Sequence, residues 1–173
     1  AMKPKDSSYR KKRYIRVIGP RLRVLLFGIL VLLALLGANS AYLSSITFFE
    51  WITGETYENY FYQLMFLGHL VLGLLIILPV IIFGIFHIKN AWNRPKKRAA
   101  SVGHALFAIS LILLFSGLAL MRVEGFEIKN PDTRTVMYWA HSMTPFAAVW
   151  LYILHRLAGP KIKWKAGGSW ALA

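Results

Sequence analysis

Five histidines, His69, His87, His104, His141 and His155, lie within or beside long apolar runs that contain no Lys, Arg, Asp or Glu. An imidazole in such a setting is costly to leave facing hydrocarbon, so ionisable side chains there mark function by default. Neutral imidazole carries one lone pair and one N–H, which makes it a ligand for transition metals, haem iron among them. His69 and His87 are 18 residues apart, five turns of helix, so they share one face with about 27 Å between them. His141 and His155 are 14 apart, just under four turns, which again gives one face and about 21 Å. Two co-facial pairs suggest two sites stacked along a bundle axis.

Those histidines need elements to hold them, and hydropathy supplies four. The expected spans run from roughly Val24 to Phe49, Tyr60 to Ile88, Ser101 to Met121 and Thr135 to Leu157, each long enough for the ~20 residues a bilayer crossing requires. With four crossings, the second and fourth helices run in the same direction. His69 and His141 then share one depth, and His87 and His155 the other. The two spacings differ by about 6 Å, a mismatch that a kink at Pro79, midway along the second span, relieves. His104, near the start of the third span, sits at the depth of the second pair. It is an alternative to His87 as ligand, or a group for a haem propionate.

Composition excludes much else. The chain has 173 residues, 57% hydrophobic and only 16% charged, against about a quarter charged in a soluble domain. With no Cys there are no disulfides, iron–sulfur clusters or CxxC zinc sites, and no covalent c-type haem, so any haem is held without a covalent tether. No Asp or Glu lies inside the spans as a transporter's proton relay would. The basic start precedes an apolar run longer than a cleaved signal's core.

A net charge of +14 would point to nucleic acid in a soluble protein, but its distribution says otherwise. Residues 1–23 carry nine Lys/Arg, residues 88–101 five, and the chain from Arg156 onward four, with Asp6 the single acid among them. The other two connections carry three bases and six acids. The positive-inside rule then puts both termini in the cytoplasm, and no nucleic-acid partner is expected. The organisation is a basic cytoplasmic segment (1–23), a four-helix transmembrane domain (24–158) and a cytoplasmic tail (159–173). Aromatic residues fit this layout: Phe48, Phe49, Trp51, Tyr57, Tyr60, Tyr62, Tyr138 and Trp139 mark the outer interface, Trp92 and Trp164 the inner. Gly68, Gly73, Gly84, Gly103 and Gly117 lie near the histidines. They suit a flat cofactor edge, but taken alone they read better as ordinary transmembrane helix contacts.

The stretches His141-Ser-Met-Thr-Pro…Leu-Tyr-Ile-Leu-His155-Arg and Gly68-His69…His87-Ile-Lys-Asn-Ala-Trp92 resemble helices of dihaem cytochrome b subunits. These are the membrane anchors of bacterial formate dehydrogenase, nitrate reductase and nickel–iron hydrogenase. The likeness covers about 100 residues, from the second helix to the fourth, and the first helix departs from some of those subunits in having no histidine. The resemblance implies an all-α membrane bundle in the bacterial inner membrane, holding two haem b. Each would have bis-histidine ligation: His69 with His141 on the outer side, and His87, or His104 in its place, with His155 on the inner. It further implies quinone chemistry at one face and a periplasmic or membrane redox partner, such as a multihaem cytochrome c or an iron–sulfur protein. The rival expectations are a non-redox anchor or assembly subunit, and a stand-alone quinone enzyme. The outer connection, residues 122–134, is longer than a helix link needs. With Phe126 and Ile128 it is the expected partner contact, beside the plainer possibility of an exposed loop.

The charge asymmetry generates a topology prediction. Alkaline phosphatase fused after Lys165 is expected to be inactive, because it would stay in the cytoplasm. Strong phosphatase activity from that fusion reverses the orientation.

Overall fold

The computed structural model of the protein describes residues 18–92, 97–122, 125 and 127–158. Four helices make up the fold: α1 (Pro20–Thr53), α2 (Tyr60–Ala91), α3 (Lys97–Leu120) and α4 (Pro131–Ala158). No strand occurs among the described residues. Each helix reaches past the expected span at one end or both, although α2 starts at the expected Tyr60 and α3 stops one residue before Met121, because the helix ends are set by local chemistry and not by apolarity. Pro20 at the first helical position follows Gly19 and starts α1 four residues before Val24, its fixed φ and missing N–H costing nothing there. Gly54 ends α1 in the left-handed region at φ 72°, donating its N–H to Glu50 O at 2.9 Å, a conformation that glycine adopts without strain. Asn59 Oδ1 caps α2 by accepting from Tyr62 N at 2.9 Å. Asn130 Oδ1 caps α4 by accepting from Thr133 N at 3.0 Å, with Asp132 in the first turn favourably placed on the helix dipole.

Three helices, α1, α2 and α3, are long and apolar enough to cross a membrane. The fourth lies where a fourth crossing is expected, but its composition falls short of that standard. Asp132, Arg134, His141, Thr144, His155 and Arg156 dilute its apolar face. Burial runs opposite to that of a water-soluble bundle. Phe27, Phe115 and Trp150 are each more than 60% exposed, whereas Asn39, Ser116 and Thr144 are buried. A surface this apolar around polar interior groups suits hydrocarbon as the solvent, where polar groups gain by turning inward.

The helices associate as two antiparallel hairpins. Helix α1 lies along α2, α3 along α4, and a smaller α2–α3 contact joins the hairpins. Tyr42 meets Phe61 edge-on at 5.2 Å, and the Phe107 ring lies where a side chain on Gly84 would go. Among the described residues no Cα of α2 comes within 8 Å of one in α4. Both of these helices run through an internal proline, Pro79 in α2 and Pro145 in α4. Pro145 has no N–H for the carbonyl of His141, four residues back. The buried Thr144 hydroxyl bonds there instead, to Ala140 O at 2.8 Å and His141 O at 3.4 Å.

Among its described residues the α3–α4 connection carries one ion pair, Arg122 Nε to Glu127 Oε1 at 3.7 Å, and at such exposure it contributes less than about 1 kcal/mol. Phe126, half of the expected partner contact, lies outside the described residues, as do the N-terminal basic segment through residue 17 and the tail from 159.

The α2–α3 contact depends on Gly84. A Cβ there would overlap the Phe107 ring, so Gly84→Ala is expected to destabilise the bundle by about 1–3 kcal/mol, read as a lower thermal midpoint in detergent. Gly28→Ala, with no atom within 4 Å of the added carbon, should leave the midpoint unchanged or slightly raised. Equal midpoints for the two variants would remove Gly84 from the interface.

Candidate functional site

Across the space between α2 and α4, four of the five histidines meet in pairs. The rings of His69 and His141 have centroids 6.1 Å apart with planes at 89°. Those of His87 and His155 are 6.0 Å apart with planes at 78°. Their order along both chains is the same, so α2 and α4 run parallel and the pairs sit at two successive depths. His104 joins neither pair; its ring lies against Trp92 at 5.9 Å, at the end of α2.

Hydrogen bonds fix which nitrogen is free in three of the four rings. His141 Nδ1 lies 3.2 Å from Leu113 O, and His155 Nδ1 lies 3.1 Å from Ala99 O. A carbonyl only accepts, so Nδ1 carries the proton in both rings and Nε2 keeps the lone pair. His69 Nδ1 lies 3.1 Å from Asn39 Oδ1 and 3.4 Å from Ser40 Oγ. The Asn39 amide has its orientation set by Nδ2, which donates to Met65 O at 2.8 Å, so His69 also donates from Nδ1. His87 differs: its Nδ1 is buried with no hydrogen-bond partner, and the ring is instead stacked on Phe83 at 5.2 Å and 12°. Leaving a buried polar nitrogen unpaired costs about 1–3 kcal/mol.

Helix α3 carries a matching repeat. Ala99 and Leu113, which supply the carbonyls, are 14 residues apart, the same step as His141 to His155 and as Gly103 to Gly117. In a helix the carbonyl of residue i is flanked by the side chain at i+4. Glycine at 103 and 117 therefore opens the carbonyls of Ala99 and Leu113 to a ring from α4. A Cβ on Gly103 would stand 3.0 Å from His155 Cε1 and 3.2 Å from Nδ1, but 4.0 Å from Nε2. On Gly117 the corresponding distances to His141 are 2.9, 3.2 and 3.9 Å. The Nδ1 edge of each ring thus rests on α3, and Nε2 is the nitrogen farther from that helix. Ser116, 1% exposed, donates to Leu113 O at 3.0 Å and lies 3.4 Å from His141 Nδ1. These two glycines belong to the site through the histidines they admit, more than as helix contacts alone.

A donor set of this kind has a restricted chemistry. Metal–imidazole bonds of about 2 Å, with each ring centre roughly 1 Å behind its nitrogen, place two rings sharing one metal about 6 Å apart. Both pairs have that separation, with the second ring nitrogen of three ligands hydrogen-bonded as metal-bound histidine usually is. A bare zinc ion would need about four ligands, and no group of three or more His, Cys, Asp or Glu gathers among the described residues. Two axial imidazoles fit a metal that brings its own planar ligands, as iron in a porphyrin does.

A second buried orphan supports that fit. Arg134 Nη2 lies 3.4 Å from Leu120 O, while Nη1 is buried without a partner. Arg134 is seven residues before His141, hence on the same face of α4 and about 10 Å along it. A guanidinium there suits a carboxylate, the group a haem propionate presents. Sequence reading counted Arg134 as a loop charge and passed over Asn39, Ser40 and Ser116. An amide inside the apolar run of α1 was the signal that could have revealed Asn39.

A largely apolar, open recess of about 630 Å³ is lined by Ile85, Ile88, Lys89, Trp92 and Phe107. None of the paired histidines lines it. Compared with known proteins, the chain matches no family model, no curated protein and no solved structure.

Proposed function

We propose that the protein is a dihaem b-type cytochrome of the bacterial inner membrane that passes electrons across the bilayer between quinone and a partner redox protein. The observation that carries this reading is the pair of His–His contacts at 6.1 and 6.0 Å on parallel helices, spaced for a shared metal. The likeness to respiratory anchor subunits, read from residues 68–92 and 141–156, agrees with it. In this reading all four helices cross the membrane with both termini cytoplasmic, as the basic residues of 1–23 and 88–101 favour. Helix α4 tolerates its polar residues because His141 and His155 turn toward the interior pairs.

The residues have distinct tasks. His69 and His141 hold the outer group and His87 and His155 the inner one, with His69, His141 and His155 binding through Nε2. The haem iron supplies one-electron redox chemistry. Leu113 O, Ala99 O and Asn39 Oδ1 hold three of the four imidazoles in the tautomer that leaves Nε2 available, and so orient them before binding. Gly103 and Gly117 let those rings seat against α3, and Arg134 offers its free Nη1 to the outer propionate. Apolar helix surfaces exclude water and favour transfer of electrons without protons. The cavity around Ile85, Ile88, Lys89, Trp92 and Phe107, next to His87 in sequence, offers apolar walls and one cation for a quinone ring. His104 packs its ring against Trp92. A periplasmic or membrane partner, multihaem cytochrome c or iron–sulfur protein, would complete the chain at the outer site.

The purified protein should show b-type bands in a reduced-minus-oxidised spectrum and two haems per chain by pyridine haemochrome. His141→Ala and His155→Ala should each lower the content to one, and His104→Ala should leave two. Gly117→Val, which pushes on His141, should mimic His141→Ala. A folded chain without haem refutes the proposal in favour of a non-redox anchor, and loss of both haems in either single variant refutes two independent sites.

A further inference from the structure

The two histidine pairs are built alike in spacing and differently in support. Three of the rings have an acceptor at Nδ1: a backbone carbonyl for His141 and for His155, and the Asn39 side chain for His69. The fourth, His87, has none. Asn39 is the nearest side chain to any of these nitrogens, with Ser40 Oγ at 3.4 Å from His69 Nδ1 and Ser116 Oγ at 3.4 Å from His141 Nδ1, and it comes from α1, a helix with no histidine. Asn39 is 6% exposed, and its amide is held from both ends. Nδ2 donates to Met65 O at 2.8 Å and Oδ1 accepts from His69 at 3.1 Å.

We infer that Asn39 is a positioning residue that makes the two sites unequal, rendering His69 a stronger donor than His87 and the His69–His141 site the harder of the two to reduce. An imidazole whose N–H is shared with an acceptor carries more electron density at its other nitrogen. A more basic axial ligand favours the oxidised, more positively charged iron and lowers its potential. The outer site has two such ligands, His69 and His141, and the inner site one, His155. No substitution of a ligand is needed to set this difference; one buried amide reaching across from α1 does so. The inference rests on haem occupying both pairs.

Potentiometric titration of the haem absorbance in the full-length protein tests it. The wild type should titrate in two steps, and the lower one should vanish in His141→Ala. Asn39→Leu, similar in shape but without the amide, should raise the lower step by about 59 mV, the one-electron equivalent of a tenfold change in the reduced-to-oxidised ratio. The upper step should stay fixed and haem content should remain at two. Asn39→Asp, a stronger acceptor at the same position, should lower that same step, and it decides the matter by sign if Asn39→Leu does not fold. Unchanged potentials with two haems retained, or a shift confined to the upper step, overturn the role of Asn39 and leave the dihaem reading standing. A wild-type protein without haem overturns both, before any variant is made.

Discussion

Hydrogen bonds from imidazole N–H groups to helix carbonyls constrain everything else in this protein. A helix carbonyl already accepts one bond from the N–H four residues on, and a side chain usually covers its second lone pair. At Ala99 and Leu113 that cover is missing because Gly103 and Gly117 follow at i+4. His155 and His141 occupy the openings. The close seating of α4 on α3 follows from this, since a ring can reach a carbonyl only where the helix surfaces nearly touch. The repeat of 14 residues on both helices keeps two such contacts in register. With Nδ1 committed to α3, each ring has only Nε2 left for chemistry.

The second constraint is separation. Helices α2 and α4 keep their backbones apart, yet their histidines come within about 6 Å of one another. Close-packed helices have axes 8–10 Å apart, and a bundle that filled its centre with Leu and Ile would bring all neighbours to that distance. Here the buried apolar side chains among the described residues are few, Ile29 and Ile76. Contacts between the hairpins include Gly84 with Phe107 and Trp92 with His104. The architecture is that of two rigid hairpins facing each other across imidazoles, which suits a cofactor-holding frame better than a self-filled core. In lipid the arrangement carries little penalty, because the outer surface needs no polar cover and the polar groups Asn39, Ser116 and Thr144 have partners within the bundle.

Asymmetry between hairpins gives the sites their individual character. The α3–α4 hairpin serves both levels through a backbone carbonyl, with the Ser116 hydroxyl added beside His141. The α1–α2 hairpin serves them unequally: an amide from α1 reaches His69, and a Phe83 ring alone supports His87. Backbone acceptors cannot be altered by substitution without moving the helix, whereas a side-chain acceptor can. The acceptor that distinguishes His69 from His87 therefore lies on α1.

Hydropathy alone determined that the chain is helical and where four helices lie, because apolar runs of this length have no other way to satisfy their backbone. Helical arithmetic on positions 69, 87, 141 and 155 determined which histidines share a face, since 3.6 residues per turn leaves little choice. Local chemistry at Gly19-Pro20, Asn59 and Asn130 was equally legible, though it sets helix ends and not membrane limits. Only the tertiary structure decided that His87 and not His104 faces His155. Both lie at similar depth, and depth is all that sequence position supplies; the rotation of α3 about its axis, fixed by the Gly84–Phe107 contact and by the glycines under α4, turns His104 toward Trp92. The same holds for Asn39, Arg134 and Ser116, whose partners stand on other helices. Composition and spacing describe one helix at a time, and a bond between two helices depends on the angle at which their surfaces meet.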